Sequence, residues 1–102
     1  MPFFKKKTYR SKKYLAWIRS EDNVCEMCGL EGYENNPLVA HHAISIPGLQ
    51  LGMMGGKSSD TFCIPLHASC HVEFHSHFDK FKWDQPIWLM KTLERFARKN
   101  LE

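Results

Sequence analysis

The segments Pro37-Leu-Val-Ala-His-His42 and Thr61-Phe-Cys-Ile-Pro65 decide the fold that we predict for this chain. Each is a short apolar run, and each predicts a β-strand. The first strand ends on two adjacent histidines. Residues 66–77 follow the second strand, carry four further histidines and predict a helix. Two strands and a helix in this order indicate an α+β domain.

Flanking helices are predicted on both sides of this centre. Ser11 suits a helix N-cap, and the run that follows places four large side chains on one face: Tyr14, Leu15, Trp17 and Ile18. After a break at residues 79–84, Pro86 suits the first turn of a closing helix over residues 87–99. Five apolar positions of that helix have helical spacing and are expected to pack on the core: Leu89, Met90, Leu93, Phe96 and Ala97.

A length of 102 residues predicts one domain, which we place at residues 11–102 behind a basic arm of residues 1–10. Cations crowd the chain before its first acid, Glu21, and this asymmetry predicts a polyanionic partner such as DNA. Residues 43–60 are rich in Gly, Pro and Ser and predict a long functional loop. The cations expected to contact DNA are Lys5, Lys6, Lys7, Arg10, Lys12 and Lys13, together with Lys57 in that loop.

The sequence lacks both a run of roughly 20 apolar residues and an apolar signal core, so a cytoplasmic protein with no membrane partner is expected. In a reducing compartment, paired cysteines hold metal more often than they form disulfides. Two pairs have the spacing of zinc ligands, Cys25-x-x-Cys28 and His67-x-x-Cys70, and predict a structural zinc knuckle. Cys63 lies in an apolar run and is expected in the core, or as the fourth ligand in place of His67.

A second metal site is predicted from the remaining histidines. His71 and His75 are four residues apart, so one face of a helix would present both imidazoles to one ion. His41 and His42 are adjacent on a strand and point to opposite sides. One can bind a metal while the other faces a substrate. Hydrolysis of a phosphodiester needs this division, with a cation on the phosphate and a neutral base that takes a proton from water. His77 is expected at the surface.

The order of these motifs resembles the HNH endonucleases with a ββα-metal fold. The chain is most similar to small phage and prophage HNH proteins of the recombination-enhancement type, which share a loop like that at residues 52–57. The resemblance covers residues 11–78. It implies two antiparallel strands and a helix around one ion, a structural zinc knuckle, and metal-dependent cleavage of DNA in recombination, repair or processing, in the cytoplasm of a bacterial host if the chain is phage encoded.

Roles carry over residue by residue from this resemblance. His41 and His71 match metal ligands, His42 matches the general base, and His75 matches an extra ligand found in some members. Asp60 is the candidate for the middle position of the motif, so the expected catalytic residues are His41, His42, Asp60 and His71. Cys25, Cys28 and Cys70 match the ligands of a structural Zn²⁺, with His67 in place of the usual fourth cysteine. The implied catalytic ion is Mg²⁺ or Mn²⁺, with Zn²⁺ or Ni²⁺ as alternatives.

Two other functions fit part of the pattern. A zinc-knuckle module that binds nucleic acid without cutting it would explain the four knuckle residues and the basic arm, but not His41, His42 and His75. A thiol redox protein based on Cys25-x-x-Cys28 would need a flanking βαβ pattern, which the sequence lacks.

Overall fold

Two antiparallel strands lie at the centre of the fold, β1 (Leu38–His42) and β2 (Cys63–His67). They belong to a computed structural model that describes residues 9–46 and 58–101. The register places His41 opposite Ile64 and His42 opposite Cys63. β1 confirms the predicted first strand. The second strand begins and ends two residues later than predicted, because Leu66 and His67 continue the pairing with β1 instead of starting the helix.

A proline inside β2 is tolerated because the sheet has an outer edge there. Pro65 lacks the N–H that a central strand would need. Its carbonyl accepts a hydrogen bond from the backbone N–H of Glu26 at 3.0 Å. The cysteine segment around residues 25–28 therefore covers the free edge of β2.

Within the described ranges, four helices surround the strand pair: α1 (Lys12–Ile18), α2 (Ala68–Ser76), α3 (Phe78–Phe81) and α4 (Gln85–Asn100). Short 3-10 turns span Asp60–Phe62 and Lys82–Asp84. α1 confirms its prediction, and the Ser11 hydroxyl accepts a hydrogen bond from the Tyr14 N–H at 3.1 Å. The break predicted at residues 79–84 is wrong, since α3 and a 3-10 turn occupy it. In the part of the chain that is described, no helix is both long and apolar enough to cross a bilayer.

Apolar side chains pack on both faces of the strand pair. On one face lie Ile64, Leu66 and Phe74, with Trp88 and Leu89 of α4 beside them. On the other face α1 packs Tyr14 and Ile18 against Cys63, and Trp17 and Phe96 join them. β2 is buried along its whole length because it lies between these two groups.

α4 differs from its prediction in which side chains it buries. Leu89 is buried as expected, but Met90 is 71% exposed and Leu93 is 37% exposed. The buried face instead includes two polar residues, Gln85 and Thr92. Both find hydrogen-bond partners inside, so the helix can turn them inward without leaving a polar group unsatisfied.

The N-terminal boundary also differs from the prediction. The Tyr9 carbonyl accepts a hydrogen bond from the Asp60 N–H at 3.0 Å, and the Arg10 guanidinium donates to the Asp60 carboxylate at 3.0 Å. Residues 9 and 10 are therefore attached to the domain instead of belonging to a basic arm. Lys5, Lys6, Lys7 and Lys57, and the loop of residues 52–57, lie outside the described residues.

Candidate functional site

One group of candidate metal ligands lies where the cysteine segment meets the junction of β2 and α2. The side-chain donor atoms of Cys25, Cys28, His67 and Cys70 all lie within 4.8 Å of one another. His67 Nδ1 is 3.1 Å from Cys28 Sγ and 3.9 Å from Cys70 Sγ. Around a tetrahedral zinc, sulfur and nitrogen ligands lie about 3.6 Å apart, given bonds of about 2.3 and 2.0 Å. The four predicted knuckle residues therefore form one cluster that could hold zinc.

The imidazole of His67 is oriented for this role by a backbone carbonyl. Its Nε2 donates a hydrogen bond to the carbonyl of Glu31 at 2.7 Å. This leaves the Nδ1 lone pair facing the sulfurs, and a hydrogen bond of this kind fixes the tautomer of metal-binding histidines. The chemistry of this donor set fits Zn²⁺, and His67 rather than Cys63 completes it.

We call the group of Cys25, Cys28, His67 and Cys70 the thiol cluster. Its electrostatics differ between the buried Cys25 and the partly buried Cys70. Burial acts to raise the pKa of the Cys25 thiol, but backbone hydrogen bonds from His67, Cys28 and Met27 outweigh burial and lower this pKa. Burial, with the nearby sulfur of Cys25 adding to it, raises the pKa of Cys70 to about 12. A divalent cation between the sulfurs would favour the thiolate form of each, because it cancels their mutual repulsion.

A second group of donor atoms lies on the α2 side of β1. His41 Nδ1 is 3.2 Å from His71 Nε2, which is 3.1 Å from His75 Nε2. All three nitrogens lie within 4.8 Å of one another. His71 and His75 share one face of α2, as their spacing predicts, and His41 reaches them from the end of β1. We call these three residues the histidine cluster.

Gln85 orients His41 within the histidine cluster, and the sequence analysis missed it. Its Oε1 accepts hydrogen bonds from His41 Nε2 at 2.9 Å and from the Ile44 N–H at 3.0 Å. Its Nε2 donates to the carbonyls of Ile44 and Lys82. These four bonds fix the amide, so His41 Nε2 must carry the proton and Nδ1 keeps its lone pair. No sequence motif marks Gln85, and its burial at the start of α4 is seen only in the structure.

Burial favours the neutral form of His41 and His71. Burial, with the nearby imidazoles of His71 and His75 adding to it, lowers the pKa of His41 to about 4. Burial, and then His75, also lowers the pKa of His71. Neutral imidazoles are the form that binds metal. Three nitrogen ligands suit zinc or nickel better than Mg²⁺ or Mn²⁺, which prefer oxygen ligands, so this donor set gives the predicted Mg²⁺ or Mn²⁺ no support.

His42 points to the opposite side of the strand pair from His41, as predicted, and contacts Asp60. His42 Nε2 lies 2.9 Å from Asp60 Oδ1, and Asp60 Oδ2 accepts from the Ser11 N–H at 2.6 Å. Burial acts to raise the pKa of the Asp60 carboxyl, but the hydrogen bond from His42 and those from Ser11 and Arg10 outweigh it and lower this pKa. An ionised Asp60 accepts a hydrogen bond from the N–H at His42 Nε2, which leaves the lone pair of His42 on Nδ1.

Cys63 lies behind this pair and not in the thiol cluster. It is fully buried, and its sulfur is within 4.8 Å of the donor atoms of His42 and Asp60. Both Asp60 oxygens already accept hydrogen bonds. We therefore interpret this group as a His42–Asp60 pair that packs on a buried thiol, and not as a metal site. The expectation that Cys63 is a core side chain is confirmed. His77 is 59% exposed at its side chain, which confirms its surface position.

An open cleft of about 570 Å³ exposes the histidine cluster and His42 together. Leu15 and Arg19 of the α1 segment form its other side. A neighbouring cleft of about 480 Å³ is lined by Lys12, Leu15, His42 and Asp60. The two clefts meet at Leu15 and His42, and we call them together the furrow.

The family model described as a protein of unknown function, DUF968, matches residues 1–97 of the chain. The chain belongs to this family. No curated protein and no solved structure matches it. In this DUF968 protein both metal-ligand clusters and the furrow lie within the matched residues, so they belong to the family domain.

The described cations that were expected to bind DNA occupy different places in this DUF968 protein. Lys12 borders the furrow. Lys13 lies on the other side of α1, at a pocket formed with Trp17 and Phe96, so its position gives the expected DNA contact no support. Arg10 is held by Asp60 and by the carbonyl of Ser58. Arg19, which the sequence analysis did not select, lines the furrow beside the histidine cluster.

Proposed function

We propose that this protein is a metal-dependent endonuclease of the HNH type that hydrolyses phosphodiester bonds in DNA. The observation that carries the proposal is the histidine cluster beside the His42–Asp60 pair, in one open cleft. A ββα-metal core is consistent with the order β1, β2, α2, since α2 follows β2 with no loop and brings His71 and His75 to His41. The thiol cluster then serves as the structural zinc site.

His42 acts as the general base in this proposal. With Nε2 bonded to Asp60, its Nδ1 takes a proton from the attacking water, and the carboxylate stabilises the imidazolium that forms. As the water oxygen bonds to phosphorus, the bond from phosphorus to the 3′ oxygen breaks and that oxygen gains a proton from solvent. The products carry 5′-phosphate and 3′-hydroxyl ends.

His41, His71 and His75 would hold the divalent ion. Such an ion supplies Lewis-acid stabilisation of the charge on the phosphate and on the departing oxygen. Gln85 keeps the Nδ1 of His41 available for that ion. His41 is too deeply buried, at 2% exposure, to serve as the base itself.

Cleavage of supercoiled plasmid tests the proposal. Purified protein is incubated with Mn²⁺, Ni²⁺, Zn²⁺ or Mg²⁺, with and without chelator. We expect cleavage with at least one transition ion and a loss of about 10² to 10⁴ in rate for His42→Ala. His77→Ala is the matched control, because it removes an exposed imidazole outside the furrow and should cut at the normal rate. Binding of DNA without cleavage by any ion would overturn the proposal in favour of a zinc-knuckle binding module.

A further inference from the structure

One face of α1 borders the whole length of the furrow. Lys12, Leu15 and Arg19 are spaced i, i+3 and i+7, so they lie in a row along the helix and its C-cap. Lys12 lines one end of the furrow, Leu15 lines both parts and Arg19 lines the end beside the histidine cluster. A cation therefore stands on each side of the point where His42 lies.

The furrow is suited to an anion along its length. Of the described residues that line it, Asp60 is the one carboxylate, and Arg10, Ser11 and His42 already engage its oxygens. Neither the Lys12 ammonium nor the Arg19 guanidinium has a hydrogen bond or ion pair with any residue in ranges 9–46 and 58–101. Both charges are thus available to a ligand.

The rise of the α1 segment between the two cations is long enough to span several phosphates of a nucleic-acid strand. Seven residues of α-helix rise about 10 Å. One strand of B-form DNA carries a phosphate about every 3.4 Å along the axis, so this span corresponds to about three nucleotides. A strand that places one phosphate at His42 would bring a further phosphate, one or two nucleotides away, near each cation.

We propose that the Lys12–Leu15–Arg19 face of α1 is the edge that positions the DNA strand, with Lys12 and Arg19 binding the phosphates on either side of the scissile one. This inference rests on the proposed function, and it predicts that the DNA strand runs along α1. Leu15 supplies an apolar contact for the sugar between the two phosphates. Arg19 touches the substrate but does not take part in proton transfer.

Salt-dependent DNA binding tests this edge without requiring cleavage. Lys12→Ala and Arg19→Ala are compared in a His42→Ala background, by fluorescence anisotropy with a labelled duplex and the matching single strand. Loss of one phosphate contact should reduce the slope of log affinity against log salt by about 0.9. This corresponds to roughly eightfold weaker binding at 0.1 M salt if the contact contributes nothing at 1 M.

Two controls remove the same charge elsewhere. Lys13→Ala lies on the same helix but away from the furrow, and Arg98→Ala lies on α4, paired with Glu94. Both should keep the parental slope. Equal slopes for Lys12→Ala and Lys13→Ala, or an unchanged slope for Arg19→Ala, would overturn the inference. If Lys12→Ala and Arg19→Ala reduce the slope selectively but the wild-type protein cuts no DNA, the nuclease proposal alone is refuted. If the wild-type protein cuts DNA but the slope effect is absent, the α1 edge alone is refuted.

Discussion

The variant Cys28→Ala distinguishes a thiol cluster that binds zinc from one that does not. Cys28 is exposed, so its side chain contributes little packing, and without a metal its removal should change the free energy of unfolding by less than about 0.5 kcal/mol. With zinc bound, the loss of even a third of the roughly 10 to 16 kcal/mol that structural zinc contributes amounts to about 3 to 5 kcal/mol. Against a total stability of about 5 to 15 kcal/mol, such a loss removes a large share of the free energy that keeps the domain folded.

Cys63→Ala is the matched control, because it removes a cysteine that is fully buried but outside the thiol cluster. The packing that this substitution removes should cost about 1 kcal/mol. Zinc binding therefore predicts that the exposed cysteine matters more than the buried one, and its absence predicts the reverse order.

The assay is thermal unfolding followed by circular dichroism, with zinc content measured by elemental analysis. A domain of about 100 residues shifts its Tm by about 4 to 8 °C per kcal/mol, so Cys28→Ala should lower Tm by at least about 12 °C and Cys63→Ala by about 4 to 8 °C. Excess chelator should reproduce the effect of Cys28→Ala in the wild-type protein. Well-folded wild-type protein without zinc, or an unchanged Tm for Cys28→Ala, would refute the reasoning.

Four further outcomes are expected. His41→Ala should weaken binding of the catalytic ion so that a higher concentration of the activating transition ion restores part of the cleavage rate in a metal titration, whereas no restoration would argue against a ligand role. Gln85→Leu should destabilise the fold by about 3 to 5 kcal/mol in urea unfolding, because it leaves His41 Nε2 and three backbone groups without partners; a loss below 1 kcal/mol would contradict this. Folding lowers the pKa of Asp60, so its carboxylate stabilises the protein above about pH 4 and loses this effect as pH falls through the folded pKa. Asp60→Asn should therefore be less stable than wild type at pH 7, and the difference in stability should shrink at pH 3. Deletion of residues 1–8 should flatten the salt dependence of DNA binding, and an unchanged slope would show that those lysines make no phosphate contacts.

Local patterns were sufficient for the parts of the fold that depend on near neighbours. Ser11 followed by an apolar face predicted α1, and a short apolar run ending in two histidines predicted β1. The spacing of His71 and His75 placed both on one side of α2. Adjacent residues on a strand must alternate, so the separation of His41 from His42 also followed from the sequence alone.

Features that depend on distant contacts could not be predicted. The end of β2 at His67 is set by pairing with Leu38, and no local signal places it there. Gln85 lies 44 residues from His41 and belongs to no motif. Met90 has helical apolar spacing, but α4 is rotated so that polar residues with internal partners take the buried face. The attachment of Arg10 depends on Asp60, 50 residues away.

α2 carries ligands of both clusters within nine residues, with Cys70 near its start and His71 and His75 beyond it. A helix this short does not hold its shape in water by itself, so whatever secures its first turn also secures the histidines. If zinc fills the thiol cluster, the chain would respond to zinc scarcity as a whole and lose the arrangement of the histidine cluster when the thiols empty, even where ions for the histidines are abundant. Linkage makes the dependence mutual, so an ion at the histidines would tighten the binding of zinc.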